Sequence, residues 1–485
     1  MFSYISDHIW FLLLVINYIL VIVVAFAILL KNINPTKTVS YIIVLVFFPF
    51  FGLIVYYLFG QEYRKDKIFN RKHILNQKII EEVNKELEPK KSELKSLQND
   101  LLDERIKLVK LLQSDEHSPL TTHNEVQIIK NGENKFKILL EDLRNAKKHI
   151  HMEYYILRDD KIGMKIVDIL CEKAASGVAV RLSIDDVGSS VTRKSKKRLT
   201  ESGVEWHSFM PVLFPGFTGK MNYRNHRKIV IIDGEIGYIG GINISDTYVN
   251  YEDSVGYWRD THLKIVGESV KSLQIHFLMT WEFVKGKKIK IQRDFFSTED
   301  CTNKLPMQIA ASGPDTDWAS IMEIIFTAIV TSEKYVYITT PYFVPNDQII
   351  TAMQVASKSG VDVRLLIPKD SDSWTAKHAT NSYLECLMEA NVKIYRYCKG
   401  FIHAKAMVVD DMFSTVGTTN MDHRSFSINF EINAIMYDEG KSKELKSHFF
   451  EDLEDSEEID YERWINRSKF QKFQESYCRL WAPLL

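Results

Sequence analysis

Two stretches share one polar pattern. His226-x-Lys228 is followed by Asp233 and then Gly240-x2-Asn243, and His403-x-Lys405 by Asp410 and then Gly417-x2-Asn420. The internal spacing is identical in both copies. Two imidazoles, two ammonium groups and two carboxamides brought to one place would suit a phosphodiester. The lysines Lys228 and Lys405 and the asparagines Asn243 and Asn420 can bind non-bridging oxygens and stabilise the extra charge of a pentacoordinate transition state. One histidine can attack phosphorus and form a phosphohistidine. The other can protonate the leaving alkoxide and later deprotonate the incoming alcohol. Such chemistry calls for no metal or cofactor, and the sequence has neither H-E-x-x-H nor a carboxylate cluster to hold one.

Each His-x-Lys opens an apolar run, Ile229–Ile232 or Ala406–Val409, and is therefore expected on a strand. Period two then places His226 with Lys228, and His403 with Lys405, on one face. Asp233 and Asp410 belong to the catalytic pattern by position, but the same alternation turns them to the opposite face and argues for a structural role. A nucleophilic imidazole needs its other nitrogen held by an acid. Glu431 follows the second motif and Asp260 the first, both in runs of strand character; for either alone, a surface ion pair is the plainer reading. His149, His151, His262 and His423 read as packing or supporting residues.

The elements that carry these residues are themselves duplicated. ASGVAVRLSI at 175–184 matches KSGVDVRLLI at 358–367, each a helix ending at a glycine before an apolar strand. HIHMEYYI (149–156) and YVYITTPYF (335–343) occupy comparable strand positions. From about residue 126 onwards, β-rich runs alternate with helical patterns, which predicts two similar α/β halves about a pseudo-twofold, with the site at the seam. The expected bounds are 119–295 for the first half and 296–485 for the second.

The remainder of the chain is different in kind. Of 62 Lys+Arg and 63 Asp+Glu in 485 residues, only Asp7, Lys31 and Lys37 fall within residues 1–60. Residues 9–30 carry no charge and are long enough to cross a bilayer. A second apolar run, 39–59, is broken by Pro49 and Gly52, so either a hairpin anchor over 1–60 or a re-entrant second segment is open. Basic residues at 64–72 predict a cytoplasmic body by the positive-inside rule. Residues 61–118 read as a connector, amphipathic and helical over 73–113. The near-zero net charge argues against a nucleic-acid binder. Five scattered cysteines suggest neither a disulfide framework nor a zinc site. The run VKGKKIKIQR (284–293) could meet anionic headgroups, although a solvated loop is as good a reading.

The duplicated motif resembles the phospholipase D superfamily. NYRNHRKIVIIDG (222–234), GFIHAKAMVVDD (400–411), VGTTNMDHRSFSINFEIN (416–433), ASGPD (311–315), PYFVPND (341–347) and RLWAPLL (479–485) are similar to signatures of its bacterial cardiolipin synthases. The spacing Pro49-x2-Gly52-x3-Tyr56-x2-Phe59-Gly60 resembles the membrane segment that precedes them. The resemblance implies phospholipase D-like α/β sandwich halves and phosphatidyl transfer between two phosphatidylglycerol molecules at an anionic membrane. It makes His226 the nucleophile and His403 the general acid/base. Many superfamily members have Ser or Thr where Gly241 stands, so a hydroxyl contact to phosphate is missing there, while Thr418 retains it. A hydrolase with water as acceptor, a nuclease of the same superfamily, and an inactive membrane scaffold are the alternatives. The neutral charge counts against the nuclease, and the complete motifs count against the scaffold.

Overall fold

A computed structural model describes residues 2–30, 35–59, 77–87, 106–113, 118–211, 223–252, 254, 256–287, 289, 291–296, 301–314, 316 and 318–482. The basic run at 64–72 lies outside the described residues. The chain divides into two compact units, residues 1–71 with 212–221, and 72–211 with 222–485.

In the first unit, helix Phe2–Leu30 contains the one described segment, Ile9–Leu30, that is long and apolar enough to span a membrane. The second apolar run folds as two helices, Pro35–Phe47 and Pro49–Phe59, each far short of a bilayer's thickness. Proline ends the first because Pro49 has no N–H to give and excludes the helical conformation before it. Val21, Ile28 and Leu45 form a small core with Val24, Tyr41, Leu53 and Tyr56.

The second unit is mixed α/β. Its first half supplies strands β1 (Thr121–Lys130), β2 (His149–Tyr154), β3 (Ala179–Asp185), β4 (Glu205–Phe209), β5 (Ile229–Ile232), β6 (Ile236–Gly240) and β7 (Thr261–Gly267). The second half supplies β8 (Lys304–Ser312), β9 (Tyr335–Thr339), β10 (Asp362–Pro368), β11 (Lys393–Tyr397), β12 (Ala406–Val409), β13 (Phe413–Gly417), β14 (Glu431–Met436) and β15 (Ser456–Glu458). They hydrogen-bond in the order 15-11-10-9-12-13-14-8-1-7-6-5-2-3-4. Reading outward from the antiparallel pair β1–β8, every strand of one half meets its counterpart, β7 with β14, β6 with β13, β5 with β12, β2 with β9, β3 with β10 and β4 with β11. Only β15 lacks a partner.

The repeated sequence builds the same corner twice. Asp160 and Asn346 cap helices Lys161–Ala175 and Asp347–Lys358 by accepting from Gly163 N and Ile349 N. Gly177 and Gly360 then turn the chain into β3 and β10 with φ of 97° and 96°, a left-handed conformation that costs glycine little.

Each half buries one sheet face under its own helices, giving two separate cores. The opposite faces share a third, to which Ile229, Ile239, Leu263, Val408, Val416 and Ile432 contribute from both halves. Helices Ser269–Lys285 and Glu439–Glu454 close this shared core with residues such as Trp281 and Phe449. The connector joins in through its apolar side: Val83 and Leu87 enter the shared core, and Leu108, Val109 and Leu112 the second-half core. Of the basic run 284–293, Ile289 and Ile291 also turn into the shared core.

Candidate active site

The segments carrying the motif histidines do not lie within the sheet ladder, contrary to the expectation that each His-x-Lys opens a strand. Both stop just short of β5 and β12, because their backbone pairs across the seam instead. Asn225 bridges Phe430, and His226 N donates to Phe430 O at 2.9 Å. Strand Gly400–Ile402 pairs in parallel with Tyr257–Arg259, and His403 N donates to Arg259 O at 2.7 Å. Phe430 and Arg259 are the residues immediately before Glu431 and Asp260. The exchange of backbone therefore sets each acid beside the histidine of the other half.

The side chains complete that crossing. His226 Nδ1 stands 2.9 Å from Glu431 Oε1, and His403 Nδ1 stands 2.7 Å from Asp260 Oδ2. The acids are fully buried, while the two histidine side chains keep 11% and 7% exposure, so the imidazoles remain reachable where the carboxylates are not. With Nδ1 held by a carboxylate, Nε2 is the nitrogen left to react.

Lys228 Nζ and Lys405 Nζ each donate to the carbonyl of their own motif histidine at 2.6 Å. Lys405 Nζ also stands 2.9 Å from both ring nitrogens of His403. The two lysines act on each other and on the opposite histidines, which places all four groups in one electrostatic field. Burial pushes Lys228 down to about 7 and Lys405 down to about 8. Burial, then Lys405, lowers His403 to about 3; burial also lowers His226, against the pull of Glu431.

Aromatic walls, which the spacing of the motifs did not reveal, surround both imidazoles. Tyr155 meets the His226 ring at 5.0 Å and lies under Lys228 Nζ at 5.5 Å. Tyr248 and Trp258 meet the His403 ring at 5.4 and 5.6 Å. The only sequence signal for them was aromatic character next to a strand end. Two buried arginines were also missed: Arg227 Nε donates to Glu431 O, and Arg259 Nη1 to Asp260 O.

The remaining candidates fall outside this group of four. Asp233 has φ of 57° and accepts from the backbone N–H of Lys147, Lys148 and His149 at 2.7–2.9 Å. Asp410, with φ of 52°, does the same for Glu333, Lys334 and Tyr335 at 2.8–2.9 Å. Each caps the start of a strand, β2 or β9, by holding its first amides. The Asn243 amide donates to Tyr248 OH at 2.7 Å and accepts from Ile156 N at 3.2 Å, whereas Asn420 Oδ1 is buried without a hydrogen-bond partner. The Thr418 hydroxyl, expected to face phosphate, donates to Glu431 Oε2 and accepts from Ile432 N at 2.9 Å. Of the other histidines, His149 and His151 pack against Phe295, and His262 is fully buried.

The family described as cardiolipin synthase, PLD-like domain, matches residues 139–281 and 325–453, and the phospholipase D-nuclease N-terminal family matches residues 19–61. The chain is 41% identical over 461 residues to cardiolipin synthase 2 of Bacillus anthracis, covering 94% of this chain and 88% of that one. It is 40% identical to cardiolipin synthase of Geobacillus sp. (strain WCH70), covering 96% and 92%. It is 37% identical to cardiolipin synthase of Staphylococcus aureus (strain N315), covering 96% and 95%. Among solved structures, phosphatidylserine synthase of Haemophilus influenzae Rd KW20 superposes with a TM-score of 0.60 at 15% identity, over 78% of this chain and all of that one, a likeness of fold.

Proposed function

The chain belongs to the cardiolipin synthase family of phospholipase D-like proteins, and from that premise we propose that it condenses two phosphatidylglycerol molecules into cardiolipin and glycerol. His226 Nε2 attacks the phosphorus of the first lipid, and the bond from phosphorus to the headgroup glycerol oxygen breaks. His403 gives its proton to that oxygen, and glycerol leaves. Glu431 balances the charge that His226 acquires through Nδ1–H. The headgroup hydroxyl of the second lipid then attacks the phosphohistidine, His403 takes its proton, and the P–N bond breaks to release cardiolipin. Lys228 and Lys405 hold the non-bridging oxygens throughout, with Asn243 and Asn420 proposed to assist.

The observation that carries this reading is the crossed pairing of two histidines with two buried acids beside two lysines. The roles of the histidines follow their surroundings. Lys405 crowds His403, which makes it a poor nucleophile and, once protonated, the stronger acid. A phosphate bound between the lysines offsets their charge and lets His403 hold that proton. We place Asp233 and Asp410 in support of the strands, outside the chemistry. Membrane attachment through Ile9–Leu30 fits a lipid substrate, with the interrupted second segment dipping into the same leaflet and the body on the cytoplasmic side.

Purified full-length protein in detergent, given phosphatidylglycerol, should yield cardiolipin and glycerol in equal amounts. Phosphatidic acid as the sole product would replace the transferase by a hydrolase. His226→Ala should abolish any acid-labile phosphatidyl-enzyme adduct, and His403→Ala should allow one to accumulate. An adduct on His226→Ala would reverse the two roles.

A further inference from the structure

Helix Lys469–Arg479 is packed along one side only. Cys478 and Ala482 are buried in the second-half core, and Glu475, 3% exposed, binds Arg467 Nη2 at 2.8 Å. These contacts hold the helix against helix Trp374–Met388. On its other side Phe470, Phe473, Tyr477, Leu480 and Trp481 recur at three- and four-residue spacing, the periodicity of one helical stripe. All five face solvent, and Phe470, Phe473 and Leu480 are 68%, 67% and 76% exposed. A continuous apolar stripe of this kind marks an interaction surface.

The charges beside the stripe identify what covers it. Arg479 stands over the ring of Tyr383 in helix Trp374–Met388, which leaves Lys469 and Lys472 as the helix's other basic residues, and its one acid is the buried Glu475. A second copy of the same helix would therefore bring like charges together. An anionic lipid leaflet offers the complement to both features, acyl chains for the rings and headgroups for the ammonium groups. Tyr and Trp at positions 477 and 481 also suit the boundary between water and hydrocarbon.

We propose that helix Lys469–Arg479 lies in the interface of an anionic bilayer, its aromatic stripe among the upper acyl chains and its lysines at the headgroups. The contact depends only on the protein meeting a bilayer, and stands whether or not phosphatidyl transfer is the reaction. The test uses the full chain with Cys301, Cys386 and Cys398 replaced by serine and a solvatochromic fluorophore attached at Phe473→Cys. The labelled protein is placed in nanodiscs of phosphatidylcholine alone or mixed with phosphatidylglycerol. Emission should shift to the blue and be quenched by brominated acyl chains several-fold more in the anionic discs. Lys469→Gln with Lys472→Gln should remove that preference, while a label at the exposed Lys358→Cys should not respond. The proposal is overturned by a label that stays in water in anionic discs, by an equal response in neutral ones, or by a blue shift in detergent that grows with protein concentration, the sign of a second copy.

Discussion

Glu431 and Asp260 differ by one methylene, and the residues behind them differ to match. Thr418 reaches Glu431 with its hydroxyl, whereas a Cβ on Gly241, its counterpart, would stand 2.2 Å from Asp260 Oδ1. Gly241 is thus the space in which the shorter acid sits. Gly241→Ala should displace Asp260 and lower kcat by about a hundredfold, as Asp260→Asn should, the scale of a lost proton-transfer partner. Because Asp260 serves His403 across the seam, both variants should accumulate phosphatidyl-enzyme, and Glu431→Gln should fail to form it. Quenched-flow trapping of the adduct separates these outcomes. The lysines, proposed to hold the phosphate, should set the pH dependence. Phosphate binding needs their ammonium forms, so kcat/KM should fall as pH rises through about 7–8. The alkaline fall of kcat should lie higher, since bound phosphate favours the charged form; mixed-micelle initial rates across pH 5–10 would show coincident limbs if the lysines bore no such role. The His/Lys pairs were legible because their spacing repeats. The acids Glu431 and Asp260 were named but not assigned to their histidines, since 205 and 143 residues separate the partners. Tyr155, Trp258 and Arg259 carried at most a faint signal, because only the crossing of two distant segments brings them together.

At the scale of elements, the aspartates of the motif hold strand entries, which is the role proposed for them. Asp233 gathers three amides at the entry to β2, and Asp410 repeats this at β9. Asp233→Asn should cost about 1–3 kcal/mol, the scale of weakening a buried charged hydrogen-bond centre. Thermal unfolding should show that loss while turnover per folded molecule stays near wild type; a selective loss of turnover without a shift in Tm would return Asp233 to the chemistry. Strand periodicity predicted a face for the aspartates opposite that of the histidines. It could not foresee that the His-x-Lys segments leave the ladder, since alternation looks the same in a paired strand and in an extended segment bonded elsewhere. The second apolar run shows a similar limit: composition gives its hydrophobicity, but Pro49 decides that it becomes two short helices.

For the whole molecule, the duplication predicted from the sequence is visible as a strand order mirrored about β1–β8. The halves are not independent bodies, because the shared core draws side chains from both and each histidine takes its acid from the other. Residues 119–295 or 296–485 expressed alone should therefore neither melt cooperatively nor form the phosphatidyl adduct, as calorimetry and acid-trapping would report. A half that folded and labelled by itself would contradict the crossed site. The crossing also bears on how one site comes to hold two unlike histidines. Were the halves separate, identical subunits, symmetry would oblige both imidazoles to share one environment, and any change at one would be imposed on the other. Joined in a single chain, one acid can shorten, one glycine can make room for it, and one lysine can lean on its histidine alone. Covalent fusion is what releases the twins from equivalence and permits the proposed division of labour between attack and proton transfer.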